Sequence, residues 1–364
     1  MRAKPPLQDH SKATCGRRHF LRMAAGAAIA ALAPACRLRE WMAGPAPARW
    51  TGEHSYKKPP PWRIGRSGRG DVNPWMVTFS AHIEYGITEK YRQHFSAYHC
   101  ASANWDPNKQ IEDIRALLAR GIDALLIDPM DAQVVATGVQ EAFEAGVAVI
   151  VASSPLSAAP YVCFATLDAE GRGIACADWM LQHTSGGQVI VVQSVPAAGD
   201  SASWLNGVRQ RLQGAANILA TVVECPWSVE GARESIASWI GELTIDGVIV
   251  ENGLLGRGVV EAFAERGMAA PPIAGVDDWN GWLRTARESG VRFLAQSGGT
   301  NVGLHAVELA VEVLSGQQVP RLVELPYEVF DQSGLHRYYR PDLTDHYWAI
   351  HELPQTWIER MFRP

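Results

Sequence analysis

The chain has 364 residues, which is enough for two domains of ordinary size and too many for one compact core. Apolar residues make up 47% of the chain and charged residues 20%, so the composition is that of a folded globular protein. The formal net charge is only −5 and the sequence has no long basic block, which argues against a nucleic-acid partner.

The first residues have the features of an export signal. A basic segment that contains Arg17 and Arg18 is followed by the alanine-rich apolar run Met23–Ala33. The paired arginines followed by Phe-Leu resemble a twin-arginine signal, which exports folded proteins. The apolar run is well short of the ~20 residues that span a bilayer. Residues 1–36 are therefore predicted to be a twin-arginine signal, and the mature protein is expected in the periplasm.

Two outcomes are open at the end of this signal. Residues 33–35 fit the small-x-small cleavage rule and would release a chain that starts at Cys36. Alternatively, Cys36 is lipidated, because residues 32–36 form a loose lipobox with an atypical proline. Residues 37–61 are rich in Pro, Ala and Gly, which predicts a flexible linker in either case.

From Trp62 onward, short apolar runs alternate with amphipathic stretches, a pattern typical of βαβ units and a parallel sheet. In the first series we predict strands at residues 63–65, 95–100, 124–127 and 147–151, and helices at residues 75–92, 109–120 and 132–145. The helix at 109–120 is the clearest, since Ile111, Ile114 and Leu117 share one face and Gly121 follows as a C-cap. The glycine-rich segment 65–70 is predicted to be a flexible loop.

A second series of the same kind follows. We predict strands at residues 188–192, 220–224, 247–250, 272–276 and 292–296, and helices at residues 171–182, 201–212, 229–240, 256–266 and 301–314. The chain is therefore predicted to form two doubly wound α/β units laid end to end. Residues 338–364 carry tyrosines, tryptophans and prolines, which predicts a C-terminal segment packed over the surface.

The sequence has six cysteines, at positions 15, 36, 100, 163, 176 and 225, and no pair has C-x-x-C spacing. Their scattered positions favour buried free thiols. In an oxidising compartment a disulfide is the alternative, with Cys163–Cys176 as the least implausible pair. The sequence contains no nucleophile elbow, phosphate loop or metal-ligand spacing, so no catalytic activity, cofactor or metal is predicted.

A series of short motifs runs in order through the predicted elements. It consists of Asn73-Pro74-Trp75, Gln110, Gly121–Pro129, Ala145–Ile150, Gly187–Val189, Asp246–Asn252, Gly275–Asp278, Gln296, Gly303 and Leu314–Gly316. The whole series resembles the ribose-binding branch of the type I periplasmic binding proteins, whose fold is shared with the LacI-type regulators. The resemblance covers roughly residues 62–331.

The resemblance implies two α/β lobes, each with a doubly wound parallel sheet, and a ligand in the cleft beyond the carboxyl ends of the strands. It places three crossings near residues 165–167, 296–298 and 321–325. The first lobe is then expected to contain residues 62–166 plus 297–321, and the second lobe residues 167–296 plus 322–337. Closure around a ligand is expected to be a hinge motion.

The resemblance also implies a set of ligand-binding residues. In the first loop the family has a polar residue and an aromatic wall, which match Asn73 and Trp75 here. Its cleft amide and cleft carboxylate match Asn252 and Asp277. Its hinge amide matches Gln296, and the aromatic residue that stacks on the ligand matches Trp227. Each has a structural alternative: a tryptophan is often core, Asp277 is placed to cap a helix, and Asn252 suits a turn.

The chain departs from the sugar-binding pattern at two places. Ser153 and Ser154 stand where sugar binders usually carry an Asp-Arg pair, and Trp204 stands where they usually carry an arginine. We therefore expect a pocket that is less charged and more aromatic than a ribose site, which favours a polyol, a modified sugar or an apolar-faced ligand. Asp277 without a nearby arginine would also suit a cationic ligand.

The function implied by the resemblance is a monomeric periplasmic solute-binding protein that delivers a sugar or polyol to an ABC permease in the inner membrane. The alternative is a periplasmic sensor that passes the bound signal to a histidine kinase or chemoreceptor, because the same fold serves both. A LacI-type regulator is excluded, since it needs a helix-turn-helix where this chain has the predicted export signal.

Overall fold

The computed structural model describes residues 56–156, 159–194 and 200–364. The predicted export signal, Cys36 and most of the predicted linker lie outside the described residues and stay predictions. Among the described residues, no helix combines the length and the apolar content that crossing a bilayer requires.

The described strands divide into two sheets. They are β1 (Trp62–Gly68), β2 (Phe95–Ser102), β3 (Ala124–Ile127), β4 (Ala148–Ala152), β5 (Cys163–Leu167), β6 (Gly187–Ser194), β7 (Ile218–Cys225), β8 (Ile245–Val250), β9 (Ile273–Asp277), β10 (Phe293–Gln296), β11 (Leu322–Leu325) and β12 (Val329–Asp331). The first sheet has the order β11-β5-β4-β3-β1-β2, and the second has the order β12-β10-β9-β8-β6-β7. Neighbouring strands are parallel except β12, which runs antiparallel to β10. Central strands such as β3 and β4 are aliphatic throughout, because both faces of a parallel sheet are covered.

Helices cover the faces of both sheets. They are α1 (Pro74–Tyr85), α2 (Pro107–Ala119), α3 (Ala136–Glu144), α4 (Ala169–His183), α5 (Ser201–Leu212), α6 (Val229–Ala237), α7 (Gly253–Ala264), α8 (Asn280–Ser289), α9 (Val302–Ser315), α10 (Leu335–Tyr338) and α11 (Gln355–Phe362). Local chemistry sets several ends: Asp106 accepts the N–H groups of Asn108 and Lys109 before α2, and Gly316 ends α9 with a φ of 93°. The prediction of two doubly wound α/β units is confirmed.

The chain passes between the lobes three times. It leaves the first sheet after β5, returns through residues 297–301 to α9, which packs against β4 and β5, and crosses again between β11 and β12. The predicted boundary at residue 321 is wrong for β11, because Leu322 pairs with Phe164 of the first sheet. A four-residue strand at a sheet edge carries too short a pattern to show which sheet it joins.

Six elements were missed by the sequence analysis, which are β5, β11, β12, α8, α10 and α11. Strand β5 was interpreted as part of a crossing, and α8 was not predicted because its buried apolar face is narrow and its other face is charged. The predicted helix at 75–92 ends as an α-helix at Tyr85 and continues as the π-helical turn Gly86–Lys90. The segment 65–70, predicted to be a flexible loop, provides most of β1.

The C-terminal segment, residues 338–364, contacts both lobes. Its apolar side chains, including Trp357 and Phe362, are buried with Ala81 of α1. The Trp357 indole N–H donates to Glu89 of the first lobe at 2.8 Å, and the Ile350 N–H donates to Asp278 of the second lobe at 2.6 Å. The segment is therefore an integral part of the packed structure.

Within the described ranges, the cysteines are free thiols. Cys163, Cys176 and Cys225 are buried, as favoured from the sequence, while Cys100 is exposed. Burial raises the pKa of Cys176 to about 12, so this thiol is protonated and unreactive at neutral pH.

Candidate ligand-binding site

A cavity of about 270 Å³ lies between the two lobes. Its walls come from residues that follow the carboxyl ends of strands in both sheets, among them Arg69 after β1, Ser153 after β4, Trp227 after β7 and Asn252 after β8. Because parallel strands of one sheet end at the same edge, these residues meet although they are far apart in the sequence.

The first lobe contributes a buried ion pair to this region. The Arg69 Nε donates to the Asp128 Oδ2 at 2.8 Å, and both side chains are more than nine-tenths buried. Burial raises the pKa of Asp128, while the positive charges of Arg69 and Arg66 oppose that rise. Gln110 Nε2 donates to the Asp128 backbone carbonyl at 2.9 Å, which holds the loop after β3.

An aromatic platform stands beside this pair on the same lobe. Trp75 stacks on Phe79 with ring centroids 5.0 Å apart, and its indole N–H donates to the Gly298 carbonyl at 2.6 Å. Asn73 caps α1 by accepting the Met76 N–H at 2.9 Å. These contacts hold the Trp75 ring in one orientation at the cavity wall.

The second lobe contributes carboxylates. Glu251 accepts hydrogen bonds from the Ser194 N–H at 3.0 Å and from the hydroxyls of Ser194 and Ser201. Burial nevertheless raises the pKa of Glu251 to about 7. Burial also raises the pKa of Asp277 to about 6, against the N–H groups of Gly253 and Trp279. Both carboxyl groups therefore carry acceptor oxygens whose protonation changes near neutral pH.

Arg172, in the first turn of α4, lines the same cavity. Its Nε donates to the Gln296 Oε1 at 3.1 Å, and the Gln296 Nε2 donates to the Arg172 carbonyl at 3.0 Å. The charge of Arg172 opposes the rise in pKa of Asp277 and of Asp200, two carboxyl groups that line the same cavity. The bond from Nε holds the guanidinium of Arg172, and the bond to the carbonyl ties the Gln296 side chain to the Arg172 backbone.

A family model described as "Periplasmic binding protein domain" matches residues 67–318. The chain belongs to this family. The resemblance to ribose-binding-type periplasmic binding proteins that the sequence motifs indicated is thereby confirmed.

Two relatives are 24% and 23% identical to this chain in sequence. The xylitol-binding protein of Mycolicibacterium smegmatis is 24% identical over 180 residues, which cover 48% of this chain and 52% of that protein. The ribose import binding protein of Bacillus subtilis is 23% identical over 297 residues, which cover 79% of this chain and 93% of that protein. Among solved structures, an ABC transporter solute-binding protein from Mycobacterium smegmatis with bound glycerol has a TM-score of 0.69 at 21% identity, covering 76% of this chain and 96% of that chain.

In this binding protein, eight of the nine side chains singled out from the sequence line the cavity. They are Asn73, Trp75, Ser153, Ser154, Trp204, Trp227, Asn252 and Asp277. Some of them also have the structural roles that were the alternatives. Asn252 Oδ1 caps α7 by accepting the Leu255 N–H at 3.1 Å, while its Nδ2 has no hydrogen-bond partner among the described residues. Trp204 is buried, whereas Trp227 is 40% exposed at the cavity wall. Their contact with a ligand stays a prediction.

The ninth residue, Gln296, lies elsewhere. It is fully buried behind Arg172 and is not among the described residues that line the cavity. Its hydrogen bonds to Arg172 give it a positioning role in this structure.

The expectation of a pocket less charged than a ribose site stays a prediction, but the cavity carries charges that the sequence analysis did not place there. Arg69 and Arg172 line the cavity together with Asp200, Glu251 and Asp277. The two arginines were missed because the sequence analysis compared only the positions after β4 and in α5, whereas these arginines follow β1 and lie in the first turn of α4. The signal for Arg69 was present as a cation directly after a strand, in the segment interpreted as a flexible loop.

Proposed function

We propose that this chain is an extracytoplasmic solute-binding protein that captures a sugar or polyol in the interlobe cleft and delivers it to an ABC permease. The observation that carries the proposal is the cavity itself, in which the Trp75 ring faces a wall of carboxylates, an amide and a guanidinium. An aromatic face suits the C–H side of a polyhydroxylated ligand, and the polar wall suits its hydroxyl groups.

Further support comes from size and from relatives. A cavity of about 270 Å³ lies just below the ~300–1,000 Å³ range of small-molecule pockets, which suits a single sugar unit better than an oligosaccharide. The relatives are named for xylitol and ribose, and the solved structure holds glycerol. The family implies an extracytoplasmic location, which agrees with the predicted twin-arginine signal on residues 1–36.

Ligand binding is proposed to close the lobes. A ligand that contacts Trp75 on one lobe and Asp277 on the other is bound more tightly when the lobes are closed, so it shifts the equilibrium toward the closed form. Binding is proposed to be reversible and without turnover.

A thermal-shift screen of the purified protein against sugars, polyols and small amines tests the proposal. Ligand at 100 times its Kd should add about 2.7 kcal/mol to the free energy of unfolding and raise the Tm by several degrees. Asp277→Asn should remove the shift, while Asp178→Asn, on the surface of the same lobe, should retain it. A Tm that responds to amines but not to polyhydroxylated compounds would contradict the proposal, as would chemically altered ligand recovered from the complex.

A further inference from the structure

A second, smaller cavity of about 50 Å³ adjoins the main one. The two cavities share five lining residues, which are Asn73, Trp75, Trp227, Asn252 and Asp277. The side cavity is completed by Pro74, Leu254, Trp279 and Trp348. A ligand held in the main cavity therefore lies directly beside this space.

The walls of the side cavity differ chemically from those of the main cavity. Its amide and carboxylate side chains are shared ones, whereas the residues that belong to it alone are two tryptophans, a leucine and a proline, in which the indole N–H groups are the side-chain polar atoms. A space of this size has room for a group of one to a few heavy atoms. An apolar group gains roughly fourfold in affinity for each methyl or methylene that leaves water for such a site.

One wall comes from the C-terminal segment, beyond the matched family region at 67–318. Trp348 forms a backbone bridge with Trp279, and the next residue, Ala349, donates its N–H to the Asp278 carbonyl at 3.1 Å. Asp278 also accepts the N–H of Ile350 and that of Gly298, each at 2.6 Å. The Trp348 ring lies so close to Gly298 that a Cβ there would overlap it. Trp348 is therefore a fixed wall, packed against Gly298 in the crossing at residues 297–301.

We propose that the natural ligand carries a small apolar substituent, a methyl group on a sugar or polyol, that occupies the side cavity while its hydroxylated body occupies the main cavity. This inference rests on the proposed function. Trp348 and Leu254 are then the residues that select the substituent, and the C-terminal segment is a specificity element of the site.

Isothermal titration with matched pairs tests the inference. Each pair is a neutral sugar or polyol and its O-methyl derivative, for example an inositol and its methyl ether. The full protein should bind the best methylated member roughly fourfold or more tightly than its parent. Trp348→Ala enlarges the side cavity, so its preference should move from methyl to propyl ethers. Trp357→Ala, in the same segment but outside both cavities, should keep the preference of the unmodified protein.

The outcomes separate the two proposals. If neither parents nor derivatives bind, the proposed function fails. If parents bind and every methylated partner binds equally or more weakly, or if Trp348→Ala and Trp357→Ala behave alike, the inference about the side cavity is overturned. Leu254→Ala leaves the C-terminal segment intact and should also shift the preference to longer groups, which keeps the test decisive if Trp348→Ala does not fold.

Discussion

The two lobes present different faces to the cleft. On the first lobe, the guanidinium of Arg69 is matched by Asp128 at 2.8 Å, and the remaining wall is dominated by the stacked Trp75 ring. On the second lobe, Glu251 and Asp277 are supported by backbone N–H groups and hydroxyls rather than by a cation within hydrogen-bond distance. The first lobe therefore offers a nearly neutral platform. The second offers carboxyl acceptors that lie near the charge of Arg172, whose guanidinium is hydrogen-bonded to Gln296.

This difference between the lobes predicts which of them discriminates between ligands. In a buried ion pair each charge neutralises the other, so the pair adds little electrostatic attraction for a ligand. A buried carboxyl group with a raised pKa is stabilised in its charged form by any ligand group that donates a hydrogen bond to it. Discrimination among hydroxylated ligands is therefore expected to depend mainly on the second lobe. The three variants below test this difference between the lobes.

The largest expected effect is on the stability of the first lobe. Asp128→Ala leaves Arg69 buried without its partner, which should lower the free energy of unfolding by about 3–5 kcal/mol in urea titrations. Glu141→Ala removes an exposed partner of Arg115 in the same lobe and should leave the urea midpoint nearly unchanged. Equal, small effects of both substitutions would show that the Arg69–Asp128 pair is not a buried unit.

The next effect is a pH dependence that arises in the second lobe. Burial raises the pKa of Glu251 from 4.5 to about 7, so between these values the folded state holds a proton that the unfolded state releases. The contribution of Glu251 to stability is therefore present below pH 4.5 and is lost as the pH rises through 7.

Comparison with Glu251→Gln isolates this contribution, because other titrating groups cancel in the difference. The variant should gain about 2 kcal/mol relative to the unmodified protein when the pH is raised from ~5 to ~8. Urea titrations at both pH values measure the difference. A gap that stays constant with pH would mean that the Glu251 carboxyl titrates normally.

The smallest expected effect is on ligand affinity and concerns Gln296, whose side chain is hydrogen-bonded to Arg172. Gln296→Ala removes the acceptor of the Arg172 Nε and should weaken ligand binding about tenfold, or ~1.4 kcal/mol. If Gln296 acts by positioning Arg172, the effect of Gln296→Ala should vanish in an Arg172→Ala background. Additive losses in the double variant would instead support the direct ligand contact predicted from the sequence.

Much of the site could be predicted because the motifs lie at strand ends. Asn252 and Asp277 directly follow or end aliphatic strands, so their convergence at one sheet edge follows from the parallel pattern. Arg69 was missed because its strand begins weakly and contains glycines. Gln296 was assigned to the ligand because the resemblance matches it to the hinge amide of the family, and a motif match does not reveal which neighbour the side chain binds in this chain.

The sequence by itself determined the two α/β units, most of their strands and helices and the family of the chain, since periodicity and ordered motifs are local properties. Only the tertiary structure decided which charges neutralise each other, where β11 pairs and that Trp348 reaches the cleft. These contacts join residues far apart in the chain, such as Arg69 with Asp128 and Gly298 with Trp348, and their pairing depends on how the lobes and the C-terminal segment pack.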